Sequence, residues 1–128
     1  MGLLSRIPNG ISGLIMGQVS PYLRRGQNEY FHWCPACHEL HILPDSWQFN
    51  GDLNKPTFTP SFRHTGMKRT VVDGKWAGTW EFGPDGKPLP WCCHYIMTAG
   101  MISFCGDCTH SLAGKIVPIP ELPLGYRD

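Results

Sequence analysis

Two Cys-x-x-Cys pairs constrain this chain more than any other feature: Cys34 with Cys37, and Cys105 with Cys108. Each pair encloses a residue typical of tight turns, Pro35 in the first and Gly106 in the second. A two-residue gap lets both thiolates reach one ion, so two such turns can supply four ligands to a tetrahedral Zn²⁺. A single pair would fit a redox motif equally well. Two pairs with histidines beside them predict a structural zinc site.

The other two cysteines, Cys92 and Cys93, directly precede His94 and enlarge the choice of ligands. Neighbouring residues on a strand point to opposite faces, so Cys93 and His94 can bind one ion together only at a bulge or a strand end. We expect Cys92 to be a small buried side chain. We also interpret His32, His41 and His64 as ordinary histidines. Four of the following six residues are expected to ligate the metal: Cys34, Cys37, Cys93, His94, Cys105 and Cys108.

Glycine and proline break the chain into short segments. With 15 Gly and 12 Pro in 128 residues, long helices are not expected. We predict a mostly β fold of small, zinc-stabilised, zinc-ribbon-like antiparallel hairpins over residues 29–128. Residues 1–28 are predicted to form an extended or short-helical amino-terminal arm. The apolar residues of this arm recur every three to four positions, which is compatible with short helical turns: Leu3, Ile7, Ile11 and Leu14.

Two hairpins are predicted to carry the cysteines. Residues 29–33 and 39–43 form the first, with the Cys34 turn at its tip. Residues 91–97 and 101–105 form the second, in one of two registers. If Met97 faces Met101, then Cys93 lies opposite Cys105, whereas a two-residue loop places His94 opposite Cys105.

The remaining segments are less regular. Residues 64–90 are predicted to be an inserted loop or a small hairpin, because turn residues interrupt them. Residues 116–123 contain three prolines and predict an extended carboxy-terminal strap.

Charge and targeting signals exclude several classes of protein. The net charge of +1 produces no field that favours nucleic acid, and the basic residues form no dense patch. Residues 1–17 are too short and too interrupted to span a bilayer, and they lack the pattern of a signal peptide. We therefore expect reduced thiols in a cytoplasm.

Enzymatic motifs do not stand out. A zinc hydrolase needs a glutamate beside its ligands, and this pattern is not repeated around Cys105. No Ser-His-Asp order, phosphate loop or paired carboxylates can be recognised. The best remaining acid–base pair is Asp107 with His110. We accordingly assign no catalytic residue and expect no enzymatic activity.

Four segments together resemble one known family: residues 31–37, 56–61, 93–96 and 106–114. The family consists of small Cys/His-rich proteins of tailed phages and prophages, often labelled "ammonia monooxygenase". A more distant branch is encoded beside bacterial ubiquitin-like conjugation genes. The resemblance covers roughly residues 30–120.

The resemblance has implications for the ligands. In the family, the first Cys-x-x-Cys pair and the Cys-His pair recur, which favours Cys34, Cys37, Cys93 and His94. The position of Cys105 is often apolar. Asp107, Thr109 and His110 match a recurrent turn.

With the phage origin that the resemblance implies, these observations predict a phage-encoded, zinc-binding structural or interaction protein, with a virion (capsid or tail) component as one form. The expected location is then a host cytoplasm or an assembled virion. The alternative is a soluble zinc-binding adaptor that engages a host protein or nucleic acid, and a metal-dependent enzyme is the third. Protein partners are expected to bind through residues 1–27 and the carboxy-terminal strap, within an oligomer or a larger assembly. Binding of nucleic acid is not expected.

Overall fold

The computed structural model describes residues 15–128, and it confirms a mostly β, antiparallel protein. The predicted helical turns of the arm, at Leu3, Ile7, Ile11 and Leu14, lie outside the described residues. The elements are β1 (Ile15–Gln18), β2 (Leu23–Gly26), β3 (Glu29–Cys34), β4 (Glu39–Pro44), β5 (Gln48–Phe49), β6 (Phe58–Met67), β7 (Arg69–Val72), β8 (Lys75–Trp80), β9 (Pro90–Thr98), β10 (Met101–Phe104), β11 (Ile116–Pro118) and a 3-10 helix (Leu124–Tyr126).

The first sheet has four strands in the order β1-β2-β3-β4. Strands β3 and β4 pair from Glu29 opposite Pro44 to Cys34 opposite Glu39, with the first cysteine turn at the tip as expected. His38 closes this turn with a φ of 55°, and its backbone N–H donates to the carbonyl of Cys34 at 2.9 Å. Strands β1 and β2 come from the segment interpreted as an arm, and β2 pairs with β3. A domain boundary at residue 28 stays a prediction.

The second sheet has five strands in the order β11-β10-β9-β6-β5. Strands β9 and β10 pair with Thr98 opposite Met101, which leaves a two-residue turn at Ala99 and Gly100. Both turn residues have positive φ, 48° and 79°, as tight hairpin turns of this kind require. This is the second of the two registers considered. It places Cys105 opposite His94, whose carbonyl accepts from the Cys105 N–H at 2.8 Å.

Strand β6 brings a distant part of the chain to β9. Its regular pairing runs from Phe62 opposite Tyr95 to Met67 opposite Pro90. Between Phe58 and Phe62 the register shifts, and Ser61 lies in this irregular stretch beside the middle of β9. Irregularities of this type re-aim side chains and are frequent next to active sites.

The two sheets pack face to face around one core. Leu23 and Leu43 enter it from the first sheet, and Tyr95, Met97 and Ile102 enter it from the second. Full burial of an apolar side chain contributes about 1.5–3 kcal/mol, so these residues account for much of the packing energy. A stack of rings continues the core across the sheets: His41 lies 4.2 Å from Phe62, and Phe62 lies 4.9 Å from Tyr95, measured between ring centroids.

The structure also shows how the two less regular segments are folded. Residues 64–90 contain the small hairpin β7–β8. The carboxy-terminal strap begins as β11 and then runs to the first sheet, where the Leu122 N–H donates to the carbonyl of Pro21 at 2.9 Å. Leu122 is fully buried, so the strap helps to join the sheets. No helix within residues 15–128 has the length and apolar character needed to cross a bilayer.

Candidate catalytic and metal-binding sites

Strand β9 supplies residues to two different sites, one on each face of the second sheet. Cys93 and Tyr95 point inward, where they are 0% and 1% exposed. His94 points outward, and its side chain is 24% exposed. The regular alternation of the strand therefore separates Cys93 from His94, and no bulge brings them to one ion.

The inward site is a buried cluster of thiols with one imidazole. Ligand atoms of Cys34, Cys37 and His41 all lie within 4.8 Å of one another. Cys93 reaches the same cluster from the opposite sheet, with 3.8 Å between its Sγ and that of Cys34. The Cys37 N–H donates to the Cys34 Sγ at 3.3 Å, and Trp91 Nε1 donates to the Cys37 Sγ at the same distance. Three sulfurs and one imidazole nitrogen are a common donor set for structural zinc.

The charges of this cluster are matched to a cation. Hydrogen bonds from Cys37 and Cys93 lower the pKa of Cys34 to about 4, although burial opposes this. Hydrogen bonding to Cys34 and Cys37, together with burial, raises the pKa of Cys93. Without a cation, the low pKa of Cys34 favours its thiolate, and the raised pKa of Cys93 favours its protonated thiol. A bound cation would allow the remaining thiols to ionise.

His41 is oriented for the same cluster by Tyr95. The Tyr95 hydroxyl lies 2.8 Å from His41 Nδ1 and 2.5 Å from His32 Nε2. Burial lowers the pKa of His32 to about 3, so its neutral ring accepts from the hydroxyl. The Nδ1–H of His41 then donates to Tyr95, which leaves its Nε2 lone pair for a metal. Among the described residues, Nε2 makes no hydrogen bond, and its nearest acidic neighbour is Glu39, whose Oε2 lies 3.6 Å away.

The outward site is a hydrogen-bonded chain of three side chains that sequence reasoning missed. His94 Nε2 lies 3.2 Å from the Oγ of Ser61. On the other side of the ring, Nδ1 lies 3.1 Å from each carboxylate oxygen of Asp107. A carboxylate only accepts, so the ring proton belongs on Nδ1, and Nε2 is free to accept from the serine hydroxyl. This is the arrangement of nucleophile, base and orienting acid in serine hydrolases.

The elements that build the outward site come from three parts of the chain. Ser61 lies in the irregular stretch of β6, His94 is central in β9, and Asp107 lies in the second Cys-x-x-Cys turn after β10. Asp107 is 49% exposed, and Arg63 Nε is 3.9 Å from its carboxylate. The site therefore opens onto the surface of the sheet and not into the core.

Five of the six predicted ligands are divided between these two sites, and Cys108 belongs to neither group. Cys34, Cys37 and Cys93 meet in the inward cluster, while Cys105 joins His94 and Asp107 in a second group of potential ligands. Cys108 is held elsewhere, since its Sγ accepts from the His94 N–H at 3.2 Å and donates to the His94 carbonyl at 3.1 Å. Which residues bind a metal stays a prediction. All six cysteines are free of disulfides.

Two histidines do not have the environments that the sequence predicted. His41 was expected to be an ordinary histidine but lies in the inward cluster. His110, named above as the best remaining acid–base partner for Asp107, packs against Trp91 and Phe104, with ring centroids 5.4 and 4.9 Å away. The inward direction of His41 follows from the alternation of β4, in which it shares the buried face with Leu43.

A cavity of about 330 Å³ lies next to the first cysteine turn. It is lined by residues from that turn, from β7, from β9 and from the segment after Asp107, among them Cys37, Arg69, Trp91 and His110. Ser61 and His94 do not line it. The exposed sheet face around Ser61 is therefore a different surface from this cavity.

Comparison with protein families matches residues 8–105 to the family described as bacterial ubiquitination-like system serine protease (BubE). Comparison with the curated proteins and with the solved structures gives no match. The matched range includes Ser61 and His94 and ends two residues before Asp107.

This match corrects two expectations. The chain is not a phage structural or virion protein, and the expectation that it is not an enzyme was wrong, because the family consists of serine proteases. The phage family and its "ammonia monooxygenase" label receive no support, whereas the link to bacterial ubiquitin-like conjugation does. The match covers well over half of the 128 residues, and the chain belongs to the BubE family of bacterial ubiquitination-like system serine proteases.

Proposed function

We propose that this chain hydrolyses peptide bonds with Ser61 as nucleophile, His94 as general base and Asp107 as the residue that orients His94. The observation that carries the proposal is the pair of hydrogen-bond distances on the two sides of the His94 ring, 3.2 Å to Ser61 and 3.1 Å to Asp107. A base that is held in one tautomer can accept the hydroxyl proton as the oxygen attacks.

The reaction proceeds in two halves. The Ser61 Oγ bonds to the substrate carbonyl carbon while its proton passes to His94 Nε2. His94 then returns that proton to the leaving amine as the C–N bond breaks, which leaves an ester on Ser61. Water attacks the ester with His94 again as base, and the carboxylic acid and free Ser61 are released. Throughout, the Asp107 carboxylate stabilises the charged imidazole.

The substrate that we propose is a polypeptide end in a ubiquitin-like system, and the description of the family as serine proteases of bacterial ubiquitination-like systems supports it. Ser61 is exposed, and Ile96, two residues after His94 in β9, is 45% exposed. An open, partly apolar surface of this kind suits an extended protein segment. This substrate is the protein partner of the proposal. A reducing bacterial cytoplasm suits the six free thiols.

We further propose that the inward cluster binds one structural Zn²⁺ through Cys34, Cys37, Cys93 and His41. The proposal is supported by the three buried sulfurs and by the Nε2 of His41, which makes no hydrogen bond among the described residues and lies 3.6 Å from Glu39 Oε2. The metal would bridge the two sheets behind the catalytic face. Its role is to stabilise the fold, since a site with four protein ligands has no open position for substrate.

The test is cleavage of a ubiquitin-like protein from the same bacterial system that carries extra residues after its carboxy-terminal end. Intact mass measures the product. The wild type should remove the extension, and Ser61→Ala should lower the rate by about 10⁴- to 10⁶-fold. Ser111→Ala, which changes another exposed serine, is the matched control and should cleave normally. Cleavage by Ser61→Ala at the wild-type rate would refute the proposal.

A further inference from the structure

Cys105 has no part in the hydrolysis described above, yet it lies against the two residues that control the base. Its Sγ, a ring nitrogen of His94 and a carboxylate oxygen of Asp107 all lie within 4.8 Å of one another. The backbone hydrogen bond from the Cys105 N–H to the His94 carbonyl, 2.8 Å long, holds this thiol opposite the histidine. The Cys108 N–H closes the turn on the Cys105 carbonyl at 3.3 Å. The three potential ligands are thus fixed in place by the hairpin and its turn.

The donor atoms of this group are sulfur, nitrogen and oxygen, a combination that suits Zn²⁺ and other thiophilic divalent cations. Three protein ligands leave a fourth position for water. The group is also accessible, because Cys105 is partly exposed and Asp107 is 49% exposed. A cation can therefore enter from solvent, unlike in the inward cluster, where Cys34 and Cys93 are fully buried.

We propose that Cys105, His94 and Asp107 form an inhibitory binding site for a thiophilic divalent cation such as Zn²⁺. Nδ1 is the ring nitrogen that faces Asp107. When a cation binds there, the remaining ring proton must sit on Nε2, the atom that has to accept the proton of Ser61. Coordination through Nε2 would occupy the same lone pair directly. In either case His94 can no longer accept the proton of Ser61, and removal of the cation restores this ability.

The effect on catalysis rests on the proposed function, but binding of the cation does not. Binding is therefore measured first, in the Ser61→Ala variant with its full chain and its tightly held zinc. Added Co²⁺ reports thiolate ligation through its near-ultraviolet charge-transfer absorption. We expect one further equivalent of Co²⁺ to bind with this absorption. The double variant Ser61→Ala, Cys105→Ser should bind Co²⁺ at least about tenfold more weakly. Loss of a residue that only supports a ligand already costs about tenfold in affinity, and Cys105 is proposed to be a ligand itself. Cys108→Ser, in the same turn, is the matched control and should bind like its parent.

Activity is measured next, as the ratio of rates with and without added Zn²⁺ for each protein. Zinc should inhibit the wild type and Cys108→Ser reversibly, with recovery after chelation, and Cys105→Ser should need at least about tenfold more zinc. The inhibitory site is refuted if no thiolate–cobalt absorption appears, or if Cys105→Ser binds or is inhibited like the wild type. A wild type without hydrolytic activity would refute the proposed function, and the cobalt measurement would still decide the site.

Discussion

Cys93 and His94 are neighbours in the sequence, but they belong to two regions of the molecule with opposite properties. Cys93 is fully buried and faces the thiols of the first cysteine turn. His94 lies on the outer face, with Ser61 on one side of its ring and Asp107 on the other. The inner region excludes water, whereas the outer region is open to it.

The difference between the two regions shows how a small domain can keep a stabilising cluster apart from a reactive site. A strand alternates its side chains between two faces, so one short segment can serve a structural cluster and a reactive site without mixing them. The inner cluster connects the two sheets through Cys34 and Cys93. The outer site relies on this rigid support, which holds the base within hydrogen-bond distance of the nucleophile.

Replacing Cys93 and His94 one at a time should give the largest effects, and it tests whether the two faces are independent. Cys93→Ser should lose the metal and several kcal/mol of stability, because bound zinc contributes on the order of 10 kcal/mol to small domains. His94→Gln should keep the metal and the melting temperature but lower the hydrolysis rate by about 10⁴-fold or more. Zinc content, thermal melting and activity measure the two outcomes. If both variants lost metal, or both kept activity, the separation of the two faces would be wrong.

Asp107→Asn tests whether Asp107 orients His94 in the outward site. The amide can donate to Nδ1, which would move the ring proton to Nε2 and place it on the wrong nitrogen. We expect the rate to fall by about 10²- to 10⁴-fold while substrate binding and folding persist. Asp85→Asn, which changes another exposed aspartate, is the control. An unchanged rate would mean that Asp107 does not orient the base.

Tyr95→Phe tests the inner half and has the smallest expected effect. Burial, followed by the negative charge of the nearby cysteines, raises the pKa of the Tyr95 hydroxyl, so it stays protonated between His32 and His41. Its removal leaves both ring nitrogens unpaired, which costs about 1–3 kcal/mol. It should also weaken metal binding about 10- to 100-fold. Tyr30→Phe, in the same core, is the control, and equal metal affinities in the two variants would contradict this role.

The sequence predicted the local parts of this structure well. The first hairpin and the alternative with His94 opposite Cys105 followed from residues within a few positions of each other. Strand alternation also predicted that Cys93 and His94 point to opposite faces of a regular strand. In the structure Cys93 is buried and His94 is partly exposed. These features depend on turn chemistry and on the period of a strand, both of which can be recognised in a short window.

The catalytic chain could not be predicted in this way, because its geometry is not local. Ser61 is 33 positions from His94 and reaches it only through the pairing of β6 with β9, which has an irregular register. Ser61 ends one of the segments that carried the family resemblance, but the resemblance named no activity. The expectation of a protein without enzymatic activity was wrong for the same reason. Cysteine spacing is a local pattern that predicts a metal site, whereas a single serine has no local pattern that predicts its partners.

Covalent labelling shows directly whether Ser61 is a nucleophile activated by His94. A fluorophosphonate reacts with a serine hydroxyl only where a neighbouring base activates it, and no natural substrate is needed. We expect one phosphonyl group per chain in the intact protein, located at Ser61 by peptide mass spectrometry, and strongly slowed labelling in His94→Gln. Absence of label, or label on another serine with Ser61 unmodified, would contradict it.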